Sequence, residues 1–110
     1  MENLKIDYIE FAATQLEESQ AFFAKAFGWS FIDYGPDYRD IQNAGTGGGV
    51  ERADAPRAPL VVLKSDDLEA AYAQVKAAGG VITQEIFQFP GGRRFEFTEP
   101  SGTAMAVWTT

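Results

Sequence analysis

Thr14-Gln15-Leu16-Glu17-Glu18-Ser19-Gln20-Ala21-Phe22-Phe23-Ala24-Lys25-Ala26-Phe27-Gly28 returns in outline as Asp66-Asp67-Leu68-Glu69-Ala70-Ala71-Tyr72-Ala73-Gln74-Val75-Lys76-Ala77-Ala78-Gly79-Gly80. Leu16, Glu17, Ala21, Ala26 and Gly28 recur as Leu68, Glu69, Ala73, Ala78 and Gly80, at a constant offset of 52 residues (68 − 16). The spacing of Leu16, Ser19, Phe23, Ala26 and Phe27 predicts a helix with that stripe against the core, ending at Gly28. Leu68, Ala71, Tyr72, Val75 and Ala78 repeat it, ending at Gly79-Gly80. Thr14 with Glu17 has the form of a capping box, and Asp66 with Glu69 copies it. A short apolar strand precedes each helix, Ile9-Glu10-Phe11 and Val61-Val62-Leu63. Self-similarity of this kind marks two copies of one supersecondary unit.

Strand-like pieces follow each helix. They span 29–34, 38–42 and a glycine-rich piece at 47–51, then 81–89, 93–98 and 103–109. Gly35-Pro36-Asp37, Ala44-Gly45-Thr46-Gly47, Pro90-Gly91-Gly92 and Pro100-Ser101-Gly102 punctuate them as turns. Gly47-Gly48-Gly49 lacks the lysine and hydroxyl residue of a phosphate loop and reads as a flexible edge strand or turn. The expected fold is α+β, a single domain over residues 1–110. It divides into a module over 1–52, a polar linker over 53–57, and a module over 58–110. Each module has the order β-α-β-β-β.

Composition narrows the chemistry. Cysteine and histidine are both absent. Disulfides, thiolate catalysis, zinc–thiolate sites and imidazole-dependent triads are therefore excluded. A net charge of −7 argues against nucleic-acid phosphates and the anionic inner face of a membrane as partners. A hydrophobic share of 45 % supplies a packed core rather than a disordered chain. The N-terminal Met1-Glu2-Asn3-Leu4-Lys5 has no apolar signal region, so a cytoplasmic protein is the simplest expectation.

The chain resembles the vicinal-oxygen-chelate superfamily, which includes glyoxalase I, bleomycin-resistance proteins and extradiol dioxygenases. The resemblance is carried by Tyr8-Ile9-Glu10-Phe11, residues 15–23, Phe27-Gly28-Trp29, Gly47-Gly48-Gly49, residues 67–71, and the turn Phe97-Thr98-Glu99-Pro100-Ser101-Gly102. It implies curved mixed sheets enclosing a cavity, with helices on the outer face. It also implies a homodimer, and a lid-like role for the glycine run. Metal-dependent members take ligands from the first and last strand of each module. Those positions fall here on Tyr8, Leu60 and Ala106, the fourth lying near residues 48–50. Leu60 and Ala106 carry no donor atom, so no metal and no cofactor is expected.

Strand alternation turns Tyr8 and Glu10 to one face, with Ile9 and Phe11 under the helix. In the second module it turns Leu60 and Val62, and Ala104, Ala106 and Trp108, to the inner face. Small alanines beside aromatic Tyr8 and Trp108 have the make-up of a small-molecule pocket. Tyr38 is a candidate stacking residue. Of Arg93 and Arg94 one should face inwards, with Arg94 the candidate anion clamp and Glu96 or Glu10 its alternative partner. The expected ligand-binding set is thus Tyr8, Glu10, Tyr38, Leu60, Val62, Arg94, Ala106 and Trp108. Phe23 and Phe27 are read as core, and Phe22 and Trp29 as a possible dimer contact.

Three functions compete. One is a metal-free protein binding a small organic ligand, cationic or aromatic. The second is a metal-independent isomerase or lyase with Glu10 as proton shuttle. The third is an interaction module with an unused cavity.

Overall fold

The computed structural model describes residues 3–110. It is α+β, with the strands and helices in the order β1 (Lys5–Ala13), α1 (Leu16–Phe27), β2 (Phe31–Asp33), β3 (Tyr38–Ile41), β4 (Gly47–Arg52), β5 (Leu60–Lys64), α2 (Leu68–Ala77), β6 (Val81–Phe89), β7 (Gly92–Thr98) and β8 (Ala104–Thr109). Two β-α-β-β-β modules therefore follow one another. The chain separates into two compact units, one over Tyr8–Leu60 and the other over residues 3–7 with Val61–Thr110.

In the first unit the strands lie in the order β2-β3-β4-β1. β2, β3 and β4 pair antiparallel, and β4 pairs with β1 in parallel. The second unit repeats the plan as β6-β7-β8-β5, with β5 parallel to β8 and the rest antiparallel. The parallel pair arises because the helix returns the chain before the last strand joins the first.

Each unit packs one sheet face under its helix. Phe11, Ala13, Ile41 and Val50 meet Leu16 and Phe23 of α1. Leu63, Phe95, Phe97, Met105 and Val107 meet Leu68, Ala71, Tyr72 and Val75 of α2. The period of two then leaves Tyr8, Glu10, Tyr38, Asp40 and Gly49 on the opposite face of the first sheet.

The helix ends depart from the expected caps. Gln15 is the N-cap of α1 and makes no side-chain cap bond, so the Thr14–Glu17 box does not form. Glu17 instead takes Arg52 Nη2 at 2.5 Å and lies 3.7 Å from Arg39. The bond from Arg52 is the chief cause that holds its carboxyl below the usual range. In the second copy the cap is Asp67, not Asp66. Its carboxylate accepts the Ala70 N–H at 3.0 Å, while the Asp66 N–H is bonded to Asn3. Asp67→Ala should therefore lower stability by about 1 kcal/mol in thermal denaturation, and Asp66→Ala should have little effect.

Phe27 also departs from its core reading. Burial falls along the α1 stripe from Leu16 to Phe27, which is 56 % exposed. The last helical turn lies at the margin of the core, where the rings of Phe22, Phe23 and Trp29 flank Phe27.

Gly47–Gly49 is neither an edge nor a turn. It opens β4, which is hydrogen-bonded to β1 on one side and β3 on the other. A strand paired on both sides is held by two ladders and has no freedom to act as a lid. Gly48 and Gly49 are favoured by space. A Cβ on Gly48 would press on Ile41 Cδ1 at 3.2 Å, and one on Gly49 would collide with the hydroxyls of Tyr38 and Tyr8.

Candidate functional site

Gly49 is the centre of the most distinctive polar cluster. Its strand neighbours in register are Glu10 on β1 and Asp40 on β3. Because Gly49 has no side chain, the phenols of Tyr8 and Tyr38 reach over β4 and meet, hydroxyl to hydroxyl, at 2.5 Å. The Tyr8 hydroxyl also lies 3.2 Å from Asp40 Oδ1, and the Tyr38 hydroxyl 3.2 Å from Glu10 Oε2. Arg57, in the irregular stretch after β4, donates to Glu51 at 2.8 Å and stands 3.8 Å from Glu10 Oε1.

Gln42 Nε2 adds a hydrogen bond to Asp40 Oδ2. Asp40–Tyr8–Tyr38–Glu10 is a chain of three contacts, and the two phenols supply two protons. Burial, the largest cause, pushes both phenols well above the ordinary tyrosine range, and the neighbouring carboxylates push the same way. Both rings therefore stay neutral at neutral pH. Glu10 is a further mark of the site, a carboxylate on a residue only 6 % exposed.

The second unit has a different face. Lys64, Trp108 and Arg94 stand side by side on β5, β8 and β7. Lys64 Nζ sits 4.9 Å from the centre of the Trp108 ring, and the Arg94 guanidinium 5.6 Å from that of Phe87. Trp108 Nε1 donates to Asp7 at 2.9 Å, and Arg94 to Glu96 at 2.8 Å. Val62 is paired with Ala106, and both are buried. Arg93 turns the other way and holds Glu69 of α2 at 2.6 Å. Here each cation already has an aromatic or acidic partner. A separate open depression of about 590 Å³ lies at the β6–β7 turn, lined by Gln88, Phe89, Pro90, Gly92, Arg93 and Thr110.

Of the residues named from sequence, Tyr8, Glu10 and Tyr38 thus come together in the first unit. Val62, Arg94, Ala106 and Trp108 share a face of the second, and Leu60 is buried at the start of β5. Asp40 and Arg57 were missed. Asp40 was within reach of the alternation rule, two residues after Tyr38 on the same strand. Arg57 had no local signal, because its strand-free stretch sets no side-chain direction.

Residues 5–107 match the family model of the glyoxalase/bleomycin resistance protein/dioxygenase superfamily. The chain belongs to this superfamily. No curated protein matches it. Among solved structures, the Mn(II)-bound glyoxalase from Novosphingobium aromaticivorans is 24 % identical, with a TM-score of 0.76 over 98 % of this chain. The match spans only 39 % of that glyoxalase's length. A superfamily member from Vibrio splendidus 12B01 is 16 % identical, with a TM-score of 0.75, covering 97 % of this chain and 99 % of its own. A variant of the Streptomyces coelicolor methylmalonyl-CoA epimerase, in complex with 2-nitronate-propionyl-CoA, is 13 % identical, with a TM-score of 0.69 and 98 % of each chain covered. Identities this low establish a shared fold and no shared chemistry.

The superfamily's metal positions can be judged on the side chains that stand there. Leu60 and Ala106 offer no donor, and the Tyr8 phenol is held neutral by burial. A hard divalent cation wants several anionic or carbonyl oxygens, or imidazoles. The set does not fit a metal. Among the described residues, no group of three or more aspartates and glutamates is disposed to hold one elsewhere.

Proposed function

We propose that this chain is a glyoxalase/bleomycin-resistance-like binding protein that takes a small organic ligand, cationic and with an aromatic body, without a metal. The observation that carries the reading is the convergence of two carboxylates, Glu10 and Asp40, with two phenol rings, Tyr8 and Tyr38, on one sheet face. An ammonium or amidinium group donates to carboxylate oxygens and offsets their charge. The two phenol rings add faces that attract a cation. Leu60 in the first unit, and Val62, Arg94, Ala106 and Trp108 on a face of their own in the second, are each proposed as ligand-contact candidates within their own unit.

The test is thermal denaturation with matched ligands: phenethylamine, its neutral alcohol and its carboxylate counterpart. The amine should raise the melting temperature and the carboxylate should not. Glu10→Gln keeps an acceptor for the Tyr38 hydroxyl but removes the charge, and should weaken amine binding about tenfold or more. Equal shifts from all three compounds, or an unchanged response in Glu10→Gln, would sink the reading.

A second reading, a metal-independent isomerase or lyase with Glu10 as proton shuttle, is favoured by one feature. The phenols link the buried Glu10 to Asp40 in a continuous hydrogen-bonded chain, a route for a proton. Incorporation of solvent deuterium next to a substrate carbonyl, lost in Glu10→Gln, would support it. Turnover that survives Glu10→Gln would remove it.

The proposal includes a cytoplasmic homodimer, supported by the edge strands β2 and β6, whose open sides invite pairing. A monomer alone in sedimentation at micromolar concentration would dismiss the dimer.

A further inference from the structure

We infer that Arg57 is a displaceable internal cation, standing at Glu10 until a ligand's own guanidinium- or amidinium-like head group replaces it. The inference rests on the binding-protein reading and adds what sets the site's threshold and preference.

Three observations lead to it. Arg57 sits between β4 and β5, in a stretch with no regular structure flanked by Pro56 and Pro59, so no ladder ties its backbone down. Its side chain is 42 % exposed, whereas the Glu10 side chain beneath it is 7 % exposed. The guanidinium is thus a solvent-facing group resting against a buried carboxylate. Its 3.8 Å separation from Glu10 Oε1 is too long for a hydrogen bond, while its bond to Glu51 Oε2 is a full one at 2.8 Å. Losing the Glu10 contact leaves Arg57 still paired with Glu51, so release costs little.

The chemistry follows. A buried carboxylate keeps its charge best beside a cation. Arg57 provides one loosely, in the form of a planar, forked donor. A ligand with a similar planar head group can approach Glu10 more closely and donate to it directly, while its body lies against the tyrosine rings. Each binding event then includes the displacement of Arg57, which weakens every cation and excludes those that pair poorly with a carboxylate. Removing the internal cation should tighten binding, the opposite of what loss of an ordinary contact residue does.

The experiment is calorimetric titration of wild type, Arg57→Gln, Arg57→Lys and Glu10→Gln with benzamidine, with circular dichroism to confirm folding. Arg57→Gln should bind about fivefold to tenfold tighter than wild type, a gain of about 1 to 1.4 kcal/mol. Arg57→Lys, which retains a cation, should stay near wild type, and Glu10→Gln should lose binding. Binding seen only in Arg57→Gln supports the same conclusion in stronger form. If wild type binds and Arg57→Gln binds equally or more weakly, the inference is overturned while the binding reading stands. If no folded variant binds benzamidine, the amidinium-accepting site and this inference fall together.

Discussion

Gly49→Ala is expected to abolish the response to a cationic ligand while leaving most of the fold intact. Gly49 is buried in a strand that is paired on both sides, and its backbone is ordinary extended chain. The new methyl group meets no main chain of a neighbouring strand as its nearest obstacle. It meets the hydroxyls of Tyr38 and Tyr8, which occupy the space above the α-carbon. Both rings must swing aside. The Tyr8–Tyr38 contact at 2.5 Å is then lost, and the Tyr38 hydroxyl is drawn off Glu10. Overpacking of this kind costs about 1 to 3 kcal/mol, so the protein should melt earlier but still fold. The ligand-induced shift in melting temperature should vanish. A Gly49→Ala protein that responds to amines as wild type does would show that the phenol pair is not part of the binding surface.

Phe95→Ala should have the largest effect on stability. Phe95 is fully buried and lies at the centre of the second core, with Leu68, Ala71, Phe97 and Val107 around it. The Tyr72 ring meets it edge-on with centroids 5.3 Å apart, and Phe97 lies at 6.0 Å. Truncation removes the ring's burial and leaves a cavity between sheet and helix, at a cost of about 3 to 5 kcal/mol. A domain of this size is stable by only about 5 to 15 kcal/mol, so the variant should unfold at much lower denaturant or fail to accumulate. The check is the denaturant midpoint against wild type. A loss below about 1 kcal/mol would mean that the second unit is not organised around this ring.

The repeat read from residues 14–28 and 66–80 matches the observed helices, which start at Leu16 and Leu68, and each sits in the expected β-α-β-β-β succession. Periodicity is a local property, and burial of an apolar stripe enforces it wherever the stripe falls. The caps were less legible. Thr14, Asp66 and Asp67 are all suitable residue types, and which one accepts a helical N–H depends on the angle at which the preceding strand delivers the chain. For α2 that residue is Asp67, and for α1 Gln15 occupies the position with no side-chain bond. Phe27 matched the stripe yet lies exposed, because spacing sets direction around a helix but not how far the core extends beneath it.

The glycine run shows the limit most clearly. Three glycines favour a turn or an edge when only backbone freedom is weighed. The placement of Gly49 in a strand paired on both sides is explained by two tyrosines, 41 and 11 residues away along the chain (49 − 8 and 49 − 38), whose rings need the space, and that of Gly48 by Ile41. Alternation alone was sufficient to place Tyr8 and Glu10 together on the face opposite Phe11, because a strand allows no other arrangement. That Tyr38 and Asp40 join them, and that Arg57 reaches Glu10, was set by strand register and loop path. Both depend on contacts between distant parts of the chain, and no local rule of spacing encodes them.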